Sequence, residues 1–221
     1  IFFRREEWTR LYETYEKLVD VADGDNELAD VYARMAKLAS EALEQEDRGI
    51  ELWNRVLDIR GEDAGALAAL AGIHTRRQRW DELVEVIERE VAVAADDRAQ
   101  ITLYKRLGVV WEEKLGRESN ALDAWLAADR IDGRDLETLR SMARLYRQTQ
   151  AWDELSQTLR RIIEAGMVQG SVREEEIIEL YAELGQLEGD ILGRVDEAVD
   201  AWRRVLALDP GDFRALAALE Q

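Results

Sequence analysis

The chain has 221 residues, 47% hydrophobic and 35% charged, with one Pro, one His and no Cys. The missing Cys excludes disulfides, thiol chemistry and Cys-ligated zinc, and a single His excludes any two-His metal site. With 48 acidic against 30 basic residues the net charge is −18, which repels nucleic acid and anionic membranes at long range.

Ordinary domains carry about 5% Pro, so one Pro among many Ala, Leu, Glu and Arg predicts a chain that is nearly all helix. No apolar run approaches the roughly 20 residues of a membrane span. Membrane insertion is therefore not expected, and the expected location is cytoplasmic. The chain opens at Ile1 rather than Met, which leaves an upstream targeting segment open.

Helical periodicity divides the chain in order. A half pair at about 5–22 is followed by pairs at 27–45 with 47–59, 64–78 with 81–95, and 97–115 with 118–131. Pairs at 134–149 with 152–165 and 172–192 with 195–208 come next, then a half pair at 212–221. The pattern is clear in Asp196 to Leu208, where Ala198, Val199, Trp202, Val205 and Leu206 form one apolar stripe. Gly61, Asp132-Gly133, Gly193 and Asp209-Pro210-Gly211 stand where turns are needed. Asp63, Asp135 and Asp212 stand at helix starts, where a carboxylate accepts from free backbone N–H groups.

These elements repeat. Trp8, Trp80 and Trp152 are 72 residues apart, as are Trp53 and Trp125, with Trp202 following after 77. Tyr32, Tyr104 and Tyr181 give the same 72 and 77, as do Leu67, Leu139 and Leu216. The five extra residues are expected at Gly166–Gly170, between two helical runs. The super-repeats span about 5–76, 77–148 and 149–221.

The repeat resembles the tetratricopeptide-repeat family. Tyr104, Leu107-Gly108 and Trp111 fit that family's first-helix pattern, and Tyr181 with Leu184-Gly185 fits its first half. Ala121 with Trp125 and Ala198 with Trp202 fit the second helix, and Pro210 takes the closing Pro position. The alternate hairpins are degenerate, with Leu83 and Leu155 at the Ala position, and first helices such as 97–115 are one residue longer than the commonest form. The resemblance implies an all-α, right-handed alpha-alpha superhelix of about five hairpins with a half hairpin at each end. It is expected to run as one solenoid over 1–221, a fragment of a longer and bacterial-type array. A lone pair of about 34 residues buries too little surface to fold, so each must stack on the next.

Catalytic constellations are not expected. Adding 72 to His74 lands on Tyr146, a packing position, and neither a carboxylate nor a Ser stands beside it to make an acid–base pair. Six of the seven Trp fall at two positions of the 72-residue unit, the behaviour of core residues rather than of a sugar platform. Glu112-Glu113 and Glu174-Glu175-Glu176 read as solvated helix faces rather than carboxyls opposed across a cleft. No phosphate loop, nucleophile elbow or calcium loop is present, so neither an enzyme nor a cofactor is expected.

Charge is distributed unevenly among the first helices. Segments 64–79, 97–115 and 134–149 together carry +6, whereas 172–192 has one Arg against seven acids. In the resembled family the first helices line the concave groove. The resemblance therefore implies a groove site at Arg76, Arg79, Lys105, Arg140, Arg144 and Arg147, of which Arg140, Arg144 and Arg147 share one helix face. Lys37 and Gly72 stand where some members of the family carry the Asn residues of a carboxylate clamp, so that clamp is incomplete. The expected function is a non-catalytic scaffold that binds a partner protein or peptide, with an acidic segment, in its groove. The alternative is a structural spacer in a long array with no ligand of its own. Ile1, Phe2 and Phe3 at one end, and Phe213, Leu216, Ala217 and Leu219 at the other, lack a polar cap, so end-to-end self-association is also expected.

Overall fold

The computed structural model describes the backbone of residues 2–220 and the side chains of residues 5–220. Those residues form twelve α-helices and no strand, and none of the helices is long and apolar enough to cross a membrane. They divide into two compact units, Ile1–Arg117 and Glu118–Gln221.

The first unit contains α1 (Phe2–Val19), α2 (Asp25–Glu41), α3 (Glu46–Arg60), α4 (Ala64–Arg76), α5 (Trp80–Ala92) and α6 (Asp97–Val109). Short turns make hairpins of α2 with α3 and of α4 with α5, and α1, α3 and α5 pack on the helices that follow them. Leu52, Leu67, Leu70, Ile73, Leu83 and Ile87 are fully buried. Each recurs at three- or four-residue steps along its helix, so one stripe per helix faces its neighbour. Asp63 starts α4 by accepting from the Ala66 N–H, and Asp96 does the same for α6 through Ala99. Trp53 is half-buried.

The second unit contains α7 (Glu118–Ile131), α8 (Leu136–Gln148), α9 (Trp152–Gln169), α10 (Glu174–Gln186), α11 (Val195–Leu208) and α12 (Phe213–Leu219). Its hairpins are α8 with α9 and α10 with α11, with α7 on α8 and α12 on α11. Asp135 caps α8 through the Thr138 N–H, and Asp212 caps α12 through Arg214 and Ala215. Trp125 and Trp202, like Trp53 members of the repeating set, are more deeply buried than Trp53. Trp202 lies so close to α10 that a Cβ at Gly185 would stand 2.6 Å from its ring. The glycine is what lets the indole seat between α10 and α11.

Two features depart from regular hairpins. Val110–Lys114 and Leu187–Ile191, which end the first-helix runs of α6 and α10, are π-helical turns. Their hydrogen bonds run five residues back, from Leu115 N–H to Val110 O at 3.1 Å and from Leu192 N–H to Leu187 O at 3.0 Å. The extra residue of these helices is absorbed there, one π turn each, and Gly116 and Gly193 then take positive φ to leave the helix. The second departure corrects an expectation. Gly166–Gln169 are not a spacer between helices but the last turn of α9, which ends at a left-handed Gly170. Of the residues expected to form uncapped ends, Ile1 and the side chains of Phe2 and Phe3 lie outside the described residues. At the other end, Phe213 and Leu216 are exposed.

One core position of the first unit carries a charge. Glu90 occupies the place that Ile162 takes 72 residues on, and Ile162 is buried. Burial pushes the Glu90 carboxyl up, and Arg106, 3.6 Å away, only partly offsets this. A carboxyl raised above its unfolded value destabilises the fold at neutral pH and does so less as pH falls toward the ordinary value. Glu90→Ile is therefore expected to stabilise the chain at pH 7 by about 1–2 kcal/mol, read from urea unfolding, with the gain shrinking toward pH 5.

Candidate functional site: the charged faces of the first helices

The second unit presents its first helices as alternating stripes of charge. Arg140, Arg144 and Arg147 are exposed along one face of α8, because Leu139, Met142, Leu145 and Tyr146 take the buried side. Glu176, Glu179 and Glu183 lie along α10, and Arg214 begins α12. Arg140 bonds Glu176 at 2.6 Å, and Arg147 bonds Glu183 at 2.9 Å through Nε. Arg214 holds both oxygens of Glu179 at 2.8 Å and also bonds Asp212. That guanidinium keeps the Glu179 carboxyl below its ordinary value and is itself raised by the two carboxylates. The pairs are half open to solvent, with Arg140 47% and Glu176 37% exposed.

The remaining members of the expected set belong to the first unit. Arg76 ends α4 and bonds Glu46 at 3.0 Å, at the start of α3. Arg79 lies in the α4–α5 turn, 3.6 Å from Asp47, whose carboxyl is lowered chiefly by its bond from Arg77. Lys105 is half-buried on α6. The three α8 arginines form one row, whereas Arg76 and Arg79 stand at a turn.

A polar network missed by sequence reasoning lies in the second unit. Glu188, in the π turn after α10, is 1% exposed. It accepts from the Ser156 hydroxyl and, at 2.8 Å, from Arg160 of α9, with Arg194 3.5 Å away. Burial pushes its carboxyl up, but the Ser156 and Arg160 bonds and the two guanidinium charges outweigh this and hold it below the ordinary value. Adding 77 to Trp111 lands on Glu188, and the same register pairs Arg117 with Arg194. Adding 72 pairs Asp81 with Asp153, Val84 with Ser156 and Glu88 with Arg160. In the first unit Arg117 stacks on Trp111 at 5.1 Å and pairs with Asp81. In the second, Arg194 keeps the equivalent pair with Asp153, and the aromatic contact has become a buried ionic one. Register arithmetic carried past Tyr181 and Leu184-Gly185 would have exposed this exchange.

His74 is buried with its Nδ1 unbonded, and burial pushes its pKa down. Glu113, Glu174 and Glu175 are exposed on their helices. Among the described residues no three His, Cys, Asp or Glu converge as a metal site.

Comparison with known proteins adds one family match. Residues 66–100, from within α4 to the first turn of α6, match the tetratricopeptide-repeat family model. No protein with a curated description matches the chain. Among solved structures the chain is similar to YrrB, a TPR protein with an unusual peptide-binding site, at 16% identity over 95% of this chain and 100% of that one, with a TM-score of 0.48. It is also similar to MamA, at 16% identity over 76% of this chain and 93% of that one, TM-score 0.49. A third is PilF of Pseudomonas aeruginosa, at 14% identity over 98% and 97%, TM-score 0.44. The chain thus carries a matched tetratricopeptide repeat at residues 66–100, set among helical hairpins whose core residues recur every 72 and 77 residues.

Proposed function

We propose that this repeat protein is a non-catalytic scaffold that receives an acidic segment of a partner protein on the basic faces of its first helices. The observation that supports the reading is the exposed Arg140–Arg144–Arg147 row on α8, whose contacts include the half-open ion pairs Arg140–Glu176 and Arg147–Glu183. Exposed pairs contribute only about 0.2–1 kcal/mol each. A partner's carboxylates can replace Glu176 and Glu183 with little net loss, and Arg forks suit them better than Lys. Arg76, Arg79 and Lys105 extend the same proposal to the first unit.

The test is fluorescence anisotropy with a labelled Asp/Glu-rich peptide. Replacing the resident competitors by Glu176→Gln/Glu183→Gln should tighten binding severalfold, and more than Asp196→Asn/Glu197→Gln, which changes net charge equally on exposed positions of α11. Added salt should weaken it. Unchanged affinity in Arg140→Ala/Arg144→Ala/Arg147→Ala would sink the proposal.

A further inference from the structure

The second unit contains a cleft of about 720 Å³ between its second helices, α9 and α11, with α10 beneath. Its floor is apolar and aromatic: Ile163 of α9 with Tyr181 and Leu184 of α10. That volume is in the range of sites that hold a small ligand or an anchoring side chain.

Two departures from the repeat meet in this cleft. The first is the added turn of α9, which has no counterpart in the preceding 72-residue unit. It places Met167 on the cleft wall at 59% exposed and Val168 beside it at 67%. Insertions confined to one repeat commonly build its binding surface, and here the insertion adds apolar side chains with nothing covering them. The second is Arg204. By register it is the counterpart of Arg55, and Tyr181 is the counterpart of Tyr32. In the first unit Arg55 bonds the Tyr32 hydroxyl at 3.2 Å and lies 5.4 Å from its ring centre. Among the described residues Arg204 has neither that bond nor an ion pair, although both it and Tyr181 line the cleft.

The charges give the cleft a direction. On α11, Arg203 and Arg204 outnumber Asp200, which stands 3.9 Å from Arg203. On α9, Arg160 is taken by Glu188, leaving Glu164 on that wall. The α11 wall is therefore net positive and the α9 wall net negative.

We propose that this cleft is a second docking site, distinct from the α8 face, for a partner-protein segment that inserts an apolar side chain against Met167 and Leu184 and sets an adjacent carboxylate on Arg204. The aromatic–Arg contact that is closed in the first unit is here held open for that group.

The chain's three methionines supply the probe. Met35 and Met142 are each 2% exposed, whereas Met167 faces the cleft. The full chain carrying 13C-methyl methionine is titrated with capped dodecapeptides built on Gly and Ser around a Leu-Phe-Asp-Glu core. The Met167 methyl signal should shift saturably while the other two stay fixed. Peptides with Leu-Phe-Asn-Gln or Ser-Ser-Asp-Glu cores should bind about tenfold more weakly, because each lacks one half of the recognition. Arg204→Glu should remove the response and Arg204→Gln should reduce it. Both changes fall on an exposed residue, and unchanged Met35 and Met142 signals report an intact fold. No Met167 shift up to about 1 mM peptide, the weak edge of specific binding, overturns the site, as does equal affinity for the charged and uncharged cores. Peptide binding that is lost in Arg140→Ala/Arg147→Ala without moving Met167 assigns it to the α8 face and overturns the cleft alone. A Met167 response that survives those changes supports the cleft whatever becomes of the α8 reading.

Discussion

Ser156→Val/Arg160→Ala should cost the second unit about 3–5 kcal/mol of unfolding free energy at pH 7, because it strips both hydrogen bonds from a carboxylate that stays buried. The valine is not itself disruptive, since the equivalent position in the first unit is Val84, also buried. The sign of the pH dependence should reverse with it. In the unaltered chain the Glu188 carboxyl is lowered, so its contribution is present above the ordinary carboxylate value and is lost as pH falls through the lowered one. With Ser156 and Arg160 gone, burial dominates and raises the carboxyl. The variant should then recover part of its stability as pH falls from 7 toward 5. Ser156→Val/Arg160→Glu/Glu188→Trp, which writes the first unit's Val84, Glu88 and Trp111 into the second, should regain most of the loss. Urea unfolding at both pH values is the measurement, and a triple variant no better than the double would refute the exchange.

Trp202→Ala should destabilise by a similar amount, about 3–5 kcal/mol, through lost burial and the cavity left between α10 and α11. Its partner behaves in the opposite sense. Gly185→Ala should cost about 1–3 kcal/mol by overpacking, since the new methyl would meet the indole at 2.6 Å. Combined with Trp202→Leu, which vacates that contact, Gly185→Ala should cost clearly less than it does alone. Strict additivity in the urea series would mean that the two side chains do not share the space assigned to them.

The hairpins were legible because core positions recur. Leu67, Leu139 and Leu216 or Trp53, Trp125 and Trp202 can be matched by subtraction, and the capping Asp residues stand one residue before their helices. The lengthening of 97–115 was visible, but a surplus of one residue does not say whether it becomes a loop or a π turn. The five-residue surplus was legible as a place and not as a shape. Gly166 suggested a break, yet it sits inside α9 with Val172 packed against it, so that a Cβ would stand 2.4 Å from Val172. A sum of charge over each helix does not show which charges pair. The acids that meet Arg140 and Arg147 lie 36 residues on, one hairpin away, at Glu176 and Glu183. In the sequence Glu188 is one acid in an acidic run, and a single letter does not reveal that it has taken an aromatic's place.

The π turns at Val110–Lys114 and Leu187–Ile191 have a consequence for how such an array can change length. One residue added to an α-helix rotates everything after it by about 100°, which would carry an apolar stripe off its neighbour. Widening a single turn confines the error: the residues before Val110 and before Leu187 keep their α register, and Gly116 and Gly193 resume the chain at equivalent points. Single-residue indels at these turns are thus neutral to the stacking that precedes them. A residue gained or lost there leaves unchanged which side chains of α6 and α10 before the turn are buried.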